Sequence, residues 1–370
     1  MKRSILGRAA LPAAVVLAFG LAACAPAHEG DSSGESSDGA GTGTEVSGDL
    51  NGAGASSQGA AMEAWIAAFG DANPDANVSY DPVGSGGGRE QFASGAVQFA
   101  GSDAYLKDDE LTAAQEQCGG EVIEMPNYVS PIAVIYNLEG VDELNLSPAT
   151  IAGIFTGSIT SWDAPEIAAE NPDATLPATP IVPVHRSDDS GTTDNFTDYL
   201  SATAPDVWTS EPDGVWPLQS GEGANQSSGM VDAVTAGDGY IGYVDLSRAG
   251  DLGVVNVKVG EEYVAPSPEA AAAVVDASEP VADRGEFDYA IDLARDTTEA
   301  GTYPIVLVSY HLACTQYEDQ ATADLVKAFL SYVVSEEGQS TAAEAAGSAP
   351  ISADARTKAE AAIEAITAAG

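Results

Sequence analysis

The chain has 370 residues, of which 44% are apolar, and 57 acidic residues against 13 basic ones give it a formal net charge of −44. This balance excludes nucleic acid as a partner, because binding to a phosphate backbone requires clustered lysine and arginine. Beyond residue 48 the chain is long enough to form two hydrophobic cores.

The first residues have the features of a secretory signal. Three basic residues precede an apolar run, residues 11–23, which ends in small residues directly before Cys24. Such an arrangement is typical of export signals, and the run is too short to span a bilayer. We therefore predict a signal peptide at residues 1–23. Its removal takes the formal net charge from −44 to −47, because it contains three basic residues and no acidic one.

Residues 21–24 read Leu-Ala-Ala-Cys and resemble the bacterial lipobox, in which the cysteine is lipidated and becomes the new N-terminus. The resemblance implies that Cys24 is the lipidation site, and ordinary cleavage near Ala23 with a free Cys24 is the alternative. Residues 24–48 then comprise the lipidated cysteine and a polar tether, whose composition predicts disorder. We expect the folded body outside the cytoplasm, anchored to the outer face of the cell membrane.

Two further cysteines, Cys118 and Cys314, remain after the anchor. In an exported protein an isolated pair indicates a disulfide. Metal binding is the alternative, but two distant cysteines and three scattered histidines do not have the spacing of metal ligands. We expect no metal and no cofactor.

In the first part of the chain, three predicted strands each run into a turn of small polar residues. These turns are Ser56 and Ser57 after residues 46–55, Gly84 and Ser85 after residues 78–83, and Ser102 and Asp103 after residues 97–101. Strand ends are where α/β proteins bind ligands. The glycines match neither a Walker A loop nor a dinucleotide-binding pattern.

A fourth turn, residues 185–195, carries the composition of an anion site. Ser190, Gly191 and Thr192 are small and lie where a strand gives way to a helix, so backbone N-H groups and hydroxyls can point at an anion. A solvated surface loop that caps the helix is the alternative for this segment alone.

Two charged residues belong to the same turn. Arg186 presents a rigid fork of donors that can hold two oxygens of one tetrahedral anion. Asp188 is expected to accept from that guanidinium and to orient it from behind.

The rest of the chain predicts further elements and one loop that we interpret as structural, residues 220–228. The elements are helices at residues 146–162, 194–200 and 266–275, a hairpin at residues 254–264, a buried strand at residues 303–310, and a helical but poorly anchored tail at residues 352–369.

The four turns occur in the order and approximate spacing seen in the phosphate-binding lipoproteins of bacterial ABC uptake systems. Residues 154–162 and 239–243 are similar to that family too, and the resemblance covers about residues 50–351. It implies an α/β, two-lobed periplasmic-binding-protein fold of the type II-like kind, with a two-segment hinge and a ligand cleft between the lobes. The expected lobes are residues 49–126 plus 304–370 and residues 127–303.

The resemblance also implies a set of phosphate-binding residues. They are Ser56, Ser57 through its backbone, Ser85, Asp103, Arg186, Ser190, Gly191 and Thr192. Asp103 selects the ligand in this interpretation, because a carboxylate facing an anion is repulsive unless it accepts a proton from it. Phosphate near neutral pH carries such a proton and sulfate does not.

The resemblance therefore implies high-affinity extracytoplasmic binding of inorganic phosphate and its delivery to an ABC-type permease, by a monomer that is not an enzyme. A binder of another tetrahedral oxyanion, such as sulfate, is one alternative, and a secreted serine hydrolase or phosphatase is another. A hydrolase needs a base beside its nucleophile. Neither a Gly-x-Ser-x-Gly elbow nor a metal cluster accompanies His28, His185 or His311.

Overall fold

The computed structural model describes residues 46–369. The predicted signal peptide, Cys24, His28 and most of the predicted tether lie outside the described residues. The described chain contains both strands and helices. The strands are β1 (Gly48–Gly54), β2 (Ala76–Asp81), β3 (Phe99–Ser102), β4 (Val122–Asn137), β5 (Leu144–Leu146), β6 (Val182–Arg186), β7 (Glu222–Ala224), β8 (Tyr240–Asp245), β9 (Gly253–Val259), β10 (Glu262–Val264), β11 (Glu279–Pro280), β12 (Ile291–Asp292), β13 (Val306–Cys314), β14 (Gln316–Tyr317) and β15 (Thr367–Ala368). The helices are α1 (Gly59–Ala72), α2 (Ser85–Ala93), α3 (Asp108–Cys118), α4 (Pro148–Thr156), α5 (Pro165–Glu170), α6 (Gly191–Thr203), α7 (Gln226–Ala236), α8 (Pro268–Asp276), α9 (Gln320–Val334), α10 (Glu336–Ala346) and α11 (Ala353–Glu364).

Helix α1 shows how local sequence sets the first half of the fold. Met62, Trp65 and Phe69 recur at helical spacing and are buried, so they form the face that packs on the sheet and on α10. The helix ends at Ala72, two residues before Pro74, because the residue preceding a proline disfavours the helical conformation.

The first three strands are parallel and end at one edge of the sheet. β1 pairs in parallel with β2 on one side and with β3 on the other. The strands approach closely at Gly52, where an added Cβ would come within 2.2 Å of the Phe99 ring. Because parallel strands share their direction, the turns that follow β1, β2 and β3 lie side by side.

The long strand β4 joins the two halves of the molecule. Its first part pairs antiparallel with β13, and β13 continues to β3 and the parallel strands. Its second part, from Ile132 onward, pairs antiparallel with β8. From β8 the sheet continues in parallel to β6 and β7, while β9 pairs with β4, β5 and β10. One strand thus takes part in both halves, and the α/β prediction is confirmed.

Several sequence predictions can be compared directly with the elements. The hairpin is confirmed, because β9 and β10 pair antiparallel. The predicted disulfide is also confirmed: Cys118 and Cys314 are bonded, with their Cα atoms 5.2 Å apart. The prediction of one helix over residues 146–162 is wrong at its end, because Gly157 adopts a left-handed conformation (φ 77°) that stops α4.

The poorly anchored tail is a second wrong prediction. Ala359, Ala362 and Ile363 of α11 are fully buried, and the residues after α11 form β15, which pairs in parallel with β14. The buried face of this helix is hard to recognise from sequence, because its small alanine side chains give little contrast in hydrophobicity with the exposed face. Within residues 46–369, no helix is both long and apolar enough to cross a bilayer.

Candidate anion-binding site

Three helices begin directly after strands of the two halves, and their N-terminal ends meet in one cleft. Helix α1 follows β1, α2 follows β2, and α6 follows β6. The first turn of each helix leaves backbone N-H groups without partners inside the helix, and its dipole favours negative charge there. We call the place where these ends meet the anion cleft, and define it by the eight predicted residues Ser56, Ser57, Ser85, Asp103, Arg186, Ser190, Gly191 and Thr192, all of them buried.

Asp103 lies at the centre of the anion cleft. Its carboxylate accepts hydrogen bonds from the hydroxyls of Ser57 at 2.6 Å and Thr192 at 3.5 Å. The hydroxyl of Ser309 is a further donor. The Asp103 backbone N-H donates to the Ser85 hydroxyl at 3.1 Å. These contacts place residues from the turn before α1 and from α2, α6 and β13 around Asp103.

The two halves touch where Gly191 opens α6. A Cβ on Gly191 would come within 2.5 Å of the Ser85 hydroxyl oxygen and 2.7 Å of the Asp103 Cβ, so a larger residue does not fit in this position. Beside it, the Asn195 amide donates to the Asp103 carbonyl at 2.6 Å. The Ser190 hydroxyl caps the helix by accepting from the Thr193 N-H at 3.3 Å. The cleft is closed along this contact.

Arg186 is held by Asp188, as the sequence predicted. The Arg186 Nε donates to Asp188 Oδ1 at 2.8 Å, and Nη2 donates to Oδ2. Burial alone would raise the pKa of Asp188, but the Arg186 guanidinium and the N-H of Gln226 outweigh it and lower that pKa. Asp188 is therefore a stable counter-charge, and its two hydrogen bonds hold the guanidinium in one orientation.

Ser56 makes a contact that the sequence analysis missed. Its hydroxyl oxygen lies 3.1 Å from the Ser227 hydroxyl oxygen and accepts from the Ser227 N-H at 3.2 Å. The Gln226 N-H, in the same turn, donates to Asp188 at 3.0 Å. These contacts agree with the structural interpretation of residues 220–228, and they place the end of that loop beside Ser56 and Asp188. A strand followed by a polar helix start marks this turn, as it marks the others, but local sequence does not identify Ser56 as the partner of Ser227.

The electrostatics of Asp103 suit a ligand that brings its own proton. Burial raises the pKa of Asp103 above its usual value, and the hydroxyls of Ser309 and Ser57 and the charge of Arg186 offset this only in part. A carboxylate already surrounded by donors can accept one further hydrogen bond but cannot donate one. An oxyanion that carries a proton can satisfy Asp103 and Arg186 together.

The structure brings all eight predicted residues together. Ser57, Ser85, Gly191 and Thr192 approach Asp103 directly, Ser56 and Ser190 adjoin them in the chain, and Arg186 acts on Asp103 through its charge. Their role as phosphate ligands stays a prediction. Residues 154–162 and 239–243, in contrast, are core elements that meet where the Trp162 indole donates to the Gly239 carbonyl at 3.1 Å.

The histidines of the described chain do not form a nucleophile–base pair. The His185 ring stacks on Trp216 with centroids 5.0 Å apart, and its Nδ1 lies 2.8 Å from the Arg186 carbonyl. The ring of His311 contacts the side-chain amide of Gln58. Over residues 46–369, no group of three or more His, Cys, Asp or Glu side chains is arranged to hold a metal ion.

The fold and the anion cleft define a binding protein with two lobes that close on a small anion. A family model described as a PBP superfamily domain matches residues 38–337. The chain belongs to this superfamily and, within it, to the family of phosphate-binding proteins called PstS.

The relatives support this assignment over most of the chain. The protein is 35% identical over 292 residues to phosphate-binding protein PstS 3 of Mycobacterium leprae, covering 77% of this chain and 78% of that one. It is 30% identical over 335 residues to phosphate-binding protein PstS of Xylella fastidiosa, covering 87% and 88%. Its fold is similar to that of the periplasmic phosphate-binding protein PfluDING solved with phosphate, with a TM-score of 0.71, 24% identity, and 85% and 93% of the two chains covered. The predicted two-lobed fold is thereby confirmed.

Proposed function

We propose that the protein binds inorganic phosphate in the anion cleft, outside the cytoplasm, and delivers it to an ABC-type phosphate permease for import. The observation that carries this proposal is a buried Asp103 that accepts from several hydroxyls in the same cleft as a fixed Arg186. Membership of a family whose relatives are named phosphate-binding proteins supports it. Closure removes the anion from water and replaces its hydration with fixed donors.

Asp103 gives the proposed site its selectivity. Phosphate offers a proton to the carboxylate, whereas sulfate leaves two negatively charged groups in contact. The protein is therefore proposed to bind phosphate and to reject sulfate. Arsenate has phosphate's shape and protonation, so this selectivity does not separate phosphate from arsenate.

The direct test is titration calorimetry of the folded part of the protein, residues 46–369, with phosphate and with sulfate. Phosphate is expected to bind tightly and sulfate weakly, and Asp103→Asn is expected to reduce the difference, because an amide can donate to sulfate. Equal affinity of the unsubstituted protein for the two anions would contradict the proposal.

We also propose that the protein is a binder and not a phosphatase or serine hydrolase. The support is that Asp103 and the serines of the cleft contact each other, while the ring nitrogens of His185 and His311 contact a carbonyl and an amide. Incubation with a chromogenic phosphate ester is expected to release no product, and steady turnover would favour the enzyme.

The proposed location rests on the N-terminal sequence. A signal-like segment followed by Cys24 supports a lipoprotein on the outer face of the cell membrane. Cys24→Ala is expected to move the protein from the membrane fraction to the medium or periplasm, and an unchanged distribution would contradict lipid anchoring.

A further inference from the structure

A layer of buried polar residues lies behind Asp103. Ser309 and His311 are two positions apart on β13, so their side chains point to the same face of the strand. Gln58, directly before α1, reaches both of them. All three side chains are completely buried, and we call them the Gln58 relay.

The contacts fix the direction of the Gln58 amide. Its nitrogen faces the Ser309 hydroxyl and, at 3.5 Å, the Tyr310 carbonyl, which can only accept. The amide oxygen therefore faces His311 Nε2 at 3.2 Å, and that ring nitrogen must carry the proton. His311 Nδ1 has no partner within the described residues, which agrees with a neutral ring.

The same direction continues to Asp103. Because the Ser309 hydroxyl oxygen accepts from Gln58, its own proton is directed at Asp103 Oδ1. Opposite Ser309 and Tyr310, strand β4 has a β-bulge in which Asn127 is the additional residue. Bulges of this kind reorient side chains beside functional sites. Each donor in the chain points toward the carboxylate.

We propose that the Gln58 relay, acting through Ser309, determines anion specificity by keeping Asp103 an acceptor of the ligand's proton. This rests on the proposed function of the anion cleft and names residues of that site outside the predicted ligand set. Ser309 is a positioning residue here, because it acts on the ligand through Asp103. Without its hydroxyl, Asp103 loses a donor that stabilises its charge and becomes protonated more readily.

The other groups that face Asp103 do not replace this donor. Arg186 is the cation that acts on it, and the hydroxyls of Ser57 and Thr192 both reach the opposite carboxylate oxygen, Oδ2. The phenols of Tyr80 and Tyr128 also lie near enough to interact with the charge of Asp103. Burial raises the pKa of both phenols, so they stay neutral. Oδ1 therefore depends on Ser309.

The test measures the affinity of Ser309→Ala for phosphate and for sulfate at about pH 5 and about pH 8. Each affinity is divided by the affinity of the unsubstituted protein for the same anion at the same pH. Dividing in this way removes the titration of the anions themselves. Losing one hydrogen bond to a charged group is expected to lower selectivity for phosphate roughly tenfold to a hundredfold at the lower pH. Raising the pH favours the ionised form of Asp103, so selectivity is expected to recover at the higher pH.

Two variants separate this role from a packing role. Ser309→Thr keeps the hydroxyl and is expected to keep the selectivity. Ser130→Ala removes a buried serine of the neighbouring strand whose hydroxyl contacts the Pro131 carbonyl, at 3.5 Å, and Asp245. Because it does not contact Asp103, this substitution is expected to leave the selectivity between phosphate and sulfate unchanged. The proposal would be overturned if Ser309→Ala lowered the affinity for both anions equally at both pH values.

The far end of the relay gives an independent measurement. His311→Phe keeps a ring between Trp65 and Phe99 but removes the donor to Gln58, and a smaller loss of selectivity in the same direction is expected. If Ser309→Ala does not fold, this variant decides the matter, and unchanged selectivity overturns the relay. Failure of the unsubstituted protein to bind phosphate would refute the proposed function instead, so the two failures are distinguishable.

Discussion

Arg186 obtains its orientation from a carboxylate only two residues along the chain. This short span makes the pair a local unit: the same turn that exposes the helix N-terminus also aligns the guanidinium. The chain has few basic residues, but the attraction between Arg186 and a bound anion acts at contact distance. It exceeds the repulsion from distant carboxylates, because exposed charges beyond about 10 Å are screened at 0.1 M salt.

Arg186→Ala is expected to remove most of the phosphate affinity. Truncating one partner of a buried, hydrogen-bonded charge pair costs about 2–5 kcal/mol, or roughly 30-fold to several thousand-fold in Kd. Titration calorimetry measures the loss. The matched control is Arg356→Ala, because Arg356 pairs with the exposed Glu336 at 3.1 Å and contacts no residue of the anion cleft. Unchanged affinity in Arg186→Ala would contradict the assignment of this residue.

His311 predicts how stability depends on pH. Burial lowers its pKa from 6.5 to about 3, so the folded protein binds fewer protons at this ring than the unfolded chain does between those values. The stability that His311 contributes is therefore complete above about pH 6.5 and is lost as the pH falls toward 3.

Urea unfolding at several pH values measures this effect. Buried Glu124 and Asp245 have raised pKa values, about 8 and about 6, so their contribution to stability changes with pH in the opposite direction. The quantity to compare is therefore the free energy of unfolding of the unsubstituted protein minus that of His311→Phe. That difference is expected to fall as the medium is acidified below about pH 6.5. A constant difference would show that the ring does not remain neutral in the folded state.

At the scale of elements, the closed contact between α6 and α2 depends on the absence of a side chain. Gly191→Ala places a Cβ within 2.5 Å of the Ser85 hydroxyl oxygen, so the two helix starts must separate or distort. Overpacking of this kind costs about 1–3 kcal/mol, and we expect a roughly fivefold to hundredfold loss of phosphate affinity.

The control for this substitution is Gly70→Ala in α1. No atom lies within 4 Å of the Cβ that would be added there. Because alanine is the better helix former, the free energy of unfolding is expected to rise by about 0.5–1 kcal/mol with unchanged affinity. Calorimetry with thermal unfolding distinguishes the two glycines, and equal affinity in both variants would mean that the contact at Gly191 is not required for binding.

The parts of the site that could be predicted from sequence are those with a local signature. A strand that ends in small polar residues before a helix identifies the turns at Ser56, Ser85 and residues 185–195. Ser309 has no such signature, because it lies within a buried strand 206 residues after Asp103. Ser227 lies 171 residues after Ser56, and their contact depends on how the two halves close. Tertiary packing, and not local composition, places both serines.

At the scale of the whole molecule, net charge and local site chemistry oppose each other. The chain carries a formal net charge of −44. These charges repel an approaching anion at long range, while the donors of the cleft act only at contact. Association and dissociation should therefore respond differently to salt.

We expect the association rate for phosphate to rise when sodium chloride is increased from low ionic strength, with a smaller change in the dissociation rate. Stopped-flow fluorescence of the protein's tryptophans can follow both rates. A neutral osmolyte at matched viscosity is the control. A fall in the association rate with added salt would indicate that the cleft presents a net positive potential to the solvent.

Strand β4 has a further consequence for anyone who divides the chain. Its backbone completes the hydrogen-bonded ladder of both halves, so a cut between them leaves one product without a central strand and with an unprotected sheet edge. Open edges recruit other chains. Truncated forms of this protein are therefore expected to self-associate in inclusion bodies, and isotope labelling or crystallography of a single half will need a grafted replacement strand.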